Sequence, residues 1–285
     1  MDFKKVTERK FPQTRQAYTF RDTILYALGT GFASEPLDAK HLRFTYEENL
    51  VASPTIANVL GHPGMWAKDP EYDIQWKKLL HAEQRLIVHA PIPPTGEVTG
   101  DHEVMGLRDK GAEGGVFLHQ RKYVKDAKSG DLLATVINTL LLRGDGGCGD
   151  FGDAPAGLSK LPETEPDFSV QVTTLEMQAL IYRLSGDYNP LHADREVAKV
   201  GGFPKPIFHG LGTMGFAAYA LLKGLCDFDA SKLKAMGVRL SRPVMPGHDI
   251  RFDFWGKGPG EVRFRAVVTN RDNITVLDRC TAEIG

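Results

Sequence analysis

Residues 182–192 read Tyr182-Arg183-Leu184-Ser185-Gly186-Asp187-Tyr188-Asn189-Pro190-Leu191-His192. Gly186 and Pro190 break the helical pattern ahead of them and gather a carboxylate, an amide and an imidazole (Asp187, Asn189 and His192) into one tight turn. Taken alone, the turn has two readings. Asp and Asn ahead of Pro are ordinary turn and cap residues, and His192 could simply cap the helix that follows; alternatively, the three side chains converge on a reacting group. The next segment shifts the balance. Phe203-Pro204-Lys205-Pro206-Ile207-Phe208-His209-Gly210 delivers the chain through two prolines into an apolar helix, whose free N–H groups and positive dipole end receive negative charge. Because Gly210 has no side chain, a carbonyl oxygen can approach its N–H closely. The plainer alternative is that Gly210 only allows close helix packing.

Outward from that point, Ile207, Phe208, Leu211, Met214, Ala218, Leu221 and Leu222 recur at helical spacing. With Gly210, Gly212, Gly215 and Ala217 permitting close backbone approach, they predict a buried helix. Strands are expected at 236–242, 249–256, 261–270 and 275–283, with Asn270-Arg271-Asp272-Asn273 as the last turn. The first half shows the same order: short helices at 22–28 and 54–60, then antiparallel strands at 82–88, 97–107, 115–124 and 132–142. Between the halves, GDGGCGDFGDAPAGLSKLPETEP (residues 144–166) reads as a linker. The expected organisation is therefore 1–143, a linker at 144–166, and 167–285. No repeat is visible by identity, yet both halves read as helix followed by meander. The fold class is α+β, with two antiparallel sheets each wrapped on a central helix.

Composition narrows the function. Hydrophobic residues at 42% and charged residues at 25% are globular values. A net charge of −1 from 35 basic and 36 acidic residues gives no field for a polyanion, so nucleic acid is not an expected partner. A few local Lys or Arg residues could still hold a compact anion. Cys148, Cys226 and Cys280 are odd in number and far apart, which fits a reducing compartment. His62, His89, His102, His119 and His248 lack metal-ligand spacing, and there is no Walker loop or G-x-G-x-x-G, so no metal or nucleotide cofactor is expected. The N-terminal residues lack the apolar core of a signal peptide, and no run approaches the ~18 apolar residues of a membrane span. The C-terminal Ala282-Glu283-Ile284-Gly285 is not an S-K-L address. An intracellular location, cytoplasmic or peroxisomal, without membrane insertion is expected.

The stretch from Tyr182 to Gly215 resembles the hydratase 2 motif of MaoC-like dehydratases, with Asp187, Asn189, His192 and Gly210 on matching positions. Residues 21–31 look like the opening of the two-domain hydratase 2 proteins, the type seen in the hydratase part of peroxisomal multifunctional enzyme type 2. His81-Ala82-Glu83-Gln84, followed by Pro91-Ile92-Pro93-Pro94, resembles their H-G-E-Q segment. Two positions depart from the pattern: Ala82 stands for the usual Gly, and His248 where an acid is common. The resemblance implies a double hot-dog fold, a catalytic second half, and a first half that has lost the motif and shapes the acyl pocket. It implies R-specific hydration of trans-2-enoyl-CoA to (3R)-hydroxyacyl-CoA, reversible as dehydration.

In that reading Asp187 and His192 transfer protons, Asn189 orients His192 or the water, and the Gly210 N–H polarises the thioester carbonyl. Glu83 is a supporting candidate that could tether the first half to the catalytic turn, although a solvated strand Glu is the commoner case. Lys205, Arg239 and Arg242 are candidates for coenzyme A phosphates, with solvated surface charge as the alternative. Coenzyme A is part of the substrate, so no separate cofactor is implied, and a homodimer is the expected assembly. The rivals are a carrier-bound dehydratase, a hot-dog thioesterase and a non-catalytic acyl-CoA-binding protein. The intact Asp-x-Asn-x-x-His turn argues against the last two.

Overall fold

Runs of β-branched and aromatic residues between Gly and Asx turns make long antiparallel strands here. In the computed structural model, which describes residues 1–285, they are β1 (Thr14–Tyr18), β2 (Leu79–Val88), β3 (Gly96–Asp109), β4 (Val116–Asp126), β5 (Leu132–Leu142), β6 (Phe151–Gly152), β7 (Phe168–Thr173), β8 (Leu233–Leu240), β9 (Asp249–Trp255), β10 (Gly260–Val268) and β11 (Ile274–Ile284). The α-helices are α1 (Phe3–Thr7), α2 (Phe20–Gly29), α3 (Ala39–Thr45), α4 (Gln178–Tyr182), α5 (Arg195–Val200) and α6 (Gly210–Leu225). All eight strands expected from the sequence form. Three more are additional: the two-residue β6 and the edge strands β1 and β7, whose sequences TRQAY and FSVQVT are short and exposed at alternate positions.

The strand order is β1-β3-β4-β5-β2-β8-β11-β10-β9-β7, with β6 added beside β3. Outward from the middle, the two halves read β2-β5-β4-β3-β1 and β8-β11-β10-β9-β7. This is an internal repeat that residue identity conceals. The two expected sheets are not separate. β2 and β8 pair antiparallel from Glu83↔Arg239 to Ile87↔Ala235, so the halves share one sheet and the edge that each would expose is consumed. Residues 144–166 are docked against this sheet and do not form a free tether. Phe151–Gly152 pairs with β3, the Trp255 indole N–H donates to the Thr164 carbonyl at 2.8 Å, and buried Leu158 packs over Gly237 at the β2–β8 seam.

The buried helix begins at Gly210, and every residue from Gly212 to Leu222 is buried, so it has no polar face. Its own half covers it with β7 and β8. The first half closes the other side. A Cβ on Gly215 would lie 2.2 Å from Thr30 Cγ2, and the Tyr219 hydroxyl is 2.9 Å from Ser34 Oγ. Gly31, at φ +89°, turns the chain under the Phe216 ring, where a Cβ would lie 2.5 Å from that ring. One core cluster accordingly draws on both halves, with Leu86, Val98 and Val136 joining Phe252, Phe264 and Val276.

The first half does not have a matching long helix. Its 54–60 segment is a 3₁₀ turn, Pro54–Asn58, with all five residues buried. Short 3₁₀ turns leave carbonyls exposed at their ends, and here β4 answers them. Lys122 Nζ, buried, donates to the carbonyls of Ala57 (2.9 Å), Asn58 (3.0 Å) and Leu60 (2.6 Å). Three N–H groups meet three oxygens, which offsets part of the cost of burying the ammonium, a burial that pulls its pKa down to about 7.

Lys122→Met keeps an apolar stem and orphans those carbonyls. A buried acceptor left unpaired costs about 1–3 kcal/mol, and about 1 kcal/mol lowers Tm by roughly 2–4 °C at this size. Thermal unfolding of the variant should therefore begin several degrees lower; an unchanged Tm would show that the clamp contributes nothing. Residues 167–285 alone should be insoluble or inactive, since they expose one side of α6 and the β8 edge, and mixing with residues 1–143 should restore activity. A soluble, fully active fragment would contradict the shared core.

Candidate active site

α4 ends in a 3₁₀ turn at Arg183–Ser185, and Gly186, at φ +117°, reverses the chain into Asp187. Within the turn, Asp187 Oδ1 accepts from the Asn189 N–H at 3.2 Å, and Asn189 Oδ1 accepts from the Leu191 N–H at 3.2 Å. Part of the plain reading is therefore correct. Asn189 caps the short Pro190–His192 turn, and its oxygen does not orient His192. The helix after His192 is capped by Asp194, not by the histidine.

His192 is oriented by the segment entering α6. Its Nδ1 lies 2.8 Å from the Ile207 carbonyl. A carbonyl can only accept, so Nδ1 carries the hydrogen and Nε2 presents a lone pair. Burial lowers the His192 pKa below the usual imidazole value, opposed in part by the Ile207 carbonyl and by Asp187. The ring is thus neutral near pH 7. Half of the Asp187 side-chain surface remains exposed, at 48%, so the carboxylate stays accessible to water.

His209, the N-cap of α6, is a residue the sequence reading passed over. It is 1% exposed, and its ring stacks on His192 at a centroid distance of 3.6 Å and an interplanar angle of 25°. Its Nε2 donates to the Asp187 carbonyl at 3.2 Å and lies 4.0 Å from Asp187 Oδ2. Burial, followed by the neighbouring His192, pushes its pKa down to about 3. A neutral His209 therefore fixes both partners of the turn: the backbone of one and the ring of the other. The available signal was an imidazole immediately before the glycine that starts an apolar helix.

Gly210 follows as the first residue of α6. The N–H groups of the first helical turn have no intrahelical acceptor, so this donor is free to meet a substrate oxygen. A Cβ there would lie 2.8 Å from Leu240 Cδ1. Beside the turn lies a cleft of about 200 Å³, walled by Leu184 and Tyr188 from the second half and by Tyr26, Ile56 and Leu60 from the first. In the first half, burial lowers the pKa values of His62 and His81, and the Asp187 charge opposes that shift in part. One ligand atom each from Asp187, His192 and His209 lie within 4.8 Å of one another. Near-parallel rings do not surround an ion as a tetrahedral zinc site requires, and one nitrogen of each ring already serves a carbonyl.

The remaining candidates fall elsewhere. Glu83 does not tether the turn: it pairs with Arg85 at 3.4 Å, while its neighbour Gln84 is the side chain turned inward, donating to Asn58 Oδ1 at 2.9 Å. Strand alternation puts successive residues on opposite faces, and the bulge before Glu83 fixes which one points in. Arg239 is exposed on the face of β8 opposite Val238 and Leu240, away from Gly210. Arg242 Nη1 donates to the Thr275 carbonyl at 3.4 Å. Lys205 Nζ is held by the Pro246 carbonyl at 3.0 Å and by Glu176 at 3.6 Å. The structure brings none of the three cations to the turn. His248, the departure from the family pattern, accepts the Met245 N–H at Nδ1 at 3.1 Å and so holds the Pro246-Gly247 bend.

Comparison with known proteins agrees with this geometry. Residues 158–277 match the MaoC like domain, and residues 16–144 match the MFE-2 hydratase 2 N-terminal domain. The chain is 36% identical over 284 residues to the peroxisomal enoyl-CoA hydratase 2 of Arabidopsis thaliana, covering 94% of this chain and 91% of that protein. A crystal structure of a MaoC-like dehydratase from Phytophthora capsici superposes with a TM-score of 0.88 at 32% identity, covering 100% of this chain and 99% of that one. A Mycobacterium tuberculosis protein described as having a double hotdog fold shares the fold alone, with a TM-score of 0.64 at 14% identity over 97% of each chain. No helix is long and apolar enough to cross a membrane. The chain belongs to the MaoC-like dehydratase family, in its two-domain hydratase 2 branch, and has the double hot-dog fold.

Proposed function

We propose that Asp187 and His192 are the proton-transfer pair with which this chain hydrates trans-2-enoyl-CoA to (3R)-hydroxyacyl-CoA, the activity that its place in the hydratase 2 branch assigns to it. The observation that carries this reading is the 2.8 Å hydrogen bond from His192 Nδ1 to the Ile207 carbonyl. It leaves a lone pair at Nε2 of a ring that has one nitrogen within 4.8 Å of an oxygen of the half-exposed Asp187 carboxylate. A water molecule held by Asp187 and Nε2 adds its oxygen to C3, one of its protons is taken by the pair, and a proton is delivered to C2. As the C2–C3 π bond breaks, negative charge gathers on the thioester oxygen, and the free Gly210 N–H at the positive end of α6 stabilises it. Because the water is held on one face of the enoyl plane, a single hydroxyl configuration results.

Coenzyme A enters and leaves as part of the substrate, and no resident cofactor or metal takes part in this scheme. The acyl tail lies in the cleft between the turn and Tyr26, Ile56 and Leu60. Assembly as a homodimer belongs to the same reading, through surfaces other than the β2–β8 edge that the chain consumes internally.

Asp187→Asn and His192→Gln keep size and much of the hydrogen bonding while removing proton transfer. Turnover of crotonyl-CoA should fall by about 10²- to 10⁴-fold with Tm preserved, and near-parental kcat in either variant would refute the assignment. A pH profile tests His192 separately. Protonation abolishes the Nε2 lone pair, and the ring titrates below the ordinary imidazole value of about 6.5. Hydratase kcat/KM should therefore stay level as pH falls through that value and decline only below it. An acid limb centred at or above it would show that His192 is not the buried, carbonyl-bound base described.

A further inference from the structure

The two halves share one strand order, and their central strands meet about Arg85↔Gly237. A two-fold relation through that pair sends each residue of β8 to the residue of β2 with the same offset, so Val88 is the counterpart of Leu240. In the second half, Leu240 faces Gly210 at the start of α6. In the first half, Val88 and Pro54, the first residue of the 54–58 turn, line a single cavity of about 250 Å³. The crossing of walls is also preserved. Asp229 and Lys234 reach this cavity from the second half, just as Tyr26 and Leu60 reach the cleft beside the Asp187 turn from the first. The cavity thus lies where the first half would hold a counterpart of the Gly210 end of α6, and it has no lining residue in common with the cleft beside the Asp187 turn.

The substitutions at this second location remove chemistry and leave binding. Ser53 stands at the cap position held by His209 in the active half, and Pro54 stands at the position of Gly210. Proline has no N–H, so no donor exists there to hold an enolate oxygen. His89 reaches the cavity, with Nε2 engaged by Thr135 Oγ1 at 2.9 Å. What remains is an apolar wall of Val51, Ala52 and Ile92 with the cations Arg43 and Lys234 beside it. Neither cation has a carboxylate within 4.0 Å, whereas many other Lys and Arg residues of the chain are paired. Asp229, the one acid of the lining, has its Oδ1 occupied by the Ser231 N–H (3.0 Å) and hydroxyl (2.7 Å).

Apolar walls with two uncommitted cations recognise an aliphatic chain that ends in an anion. The volume is below the roughly 300–1,000 Å³ of pockets that take drug-sized ligands, which suits a short to medium chain. We propose that this cavity is a second ligand site, which binds an aliphatic monocarboxylate through Arg43 and Lys234 and does not transform it.

The test is calorimetric titration of the full chain with sodium octanoate, with octan-1-ol as the neutral probe. Octanoate should bind at least tenfold more tightly than octanol. Binding should weaken at least tenfold in Arg43→Ala/Lys234→Ala, whose substituted side chains lie on the surface, while crotonyl-CoA turnover is unchanged. Saturating butyryl-CoA, an unreactive occupant of the catalytic cleft, should leave octanoate binding intact. The proposal is overturned if octanoate does not bind, if octanol binds equally well, if the double variant binds as the parent does, or if butyryl-CoA displaces the carboxylate. None of these outcomes bears on Asp187 or His192, so the hydratase assignment stands or falls separately.

Discussion

A helix that is apolar on every side has to be enclosed on every side, and α6 imposes that constraint on the whole molecule. One antiparallel half-sheet covers one side of it. The other side is closed by Thr30, Gly31 and Ser34 and by the 54–58 turn, all from the first half. Pairing of β2 with β8 then follows as the arrangement that places both halves around one helix while removing a sheet edge from each. The shared core gives the first half a structural role without any catalytic residue of its own: it is the cover of α6 and one wall of the cleft beside the Asp187 turn. Lys122 shows how far burial is taken, since a lysine is placed inside the protein to satisfy the carbonyls of the turn that lies against α6.

The proposed chemistry sits where the enclosed helix begins. Starting α6 at Gly210 leaves its first N–H groups unpaired at the one end that a ligand can reach. The extended segment just before it presents the Ile207 carbonyl to His192, and His209 stacks beneath that ring while holding the Asp187 backbone. Both imidazoles are buried and titrate below the ordinary value, so neither carries a charge that would neutralise Asp187 near pH 7. A neutral pair beside a carboxylate is suited to holding and polarising water. In the other half, proline at the corresponding helical position removes the donor, and residues 1–143 hold no second Asp-x-Asn-Pro-x-His turn, so the proposed chemistry has one location in the chain.

The elements set by local signals were legible in the sequence: the strands bounded by Gly and Asx turns, the apolar run of α6, and the tight turn at Asp187–His192 marked by Gly186 and Pro190. What was hidden depended on long-range geometry. Fusion of the sheets rests on β2 meeting β8, and no local pattern reports a partner 152 residues away. Glu83 was misassigned because a bulge between His81 and Glu83 shifts which side chain faces inward, leaving Gln84 in the core. Asn189 was half read, since its cap role is local and visible, while the orientation of His192 comes from a carbonyl 15 residues on, which a reading of side chains does not weigh. His209 was missed for a similar reason: its value lies in stacking and in a bond to backbone, neither of which belongs to a motif of reactive groups. For Arg239 and Arg242 the sequence shows charge but not orientation, and the pleat places Arg239 on the face of β8 opposite Leu240.

The central claim is that one water, held on one face by Asp187 and His192, adds to an enoyl thioester that remains a thioester. The most direct measurement incubates the purified full chain with trans-2-decenoyl-CoA and follows enoyl absorbance, free thiol and the configuration of the product together. Loss of the enoyl band with formation of (3R)-hydroxydecanoyl-CoA and no thiol above background is the predicted result. Release of coenzyme A, or a product of S configuration, would contradict it.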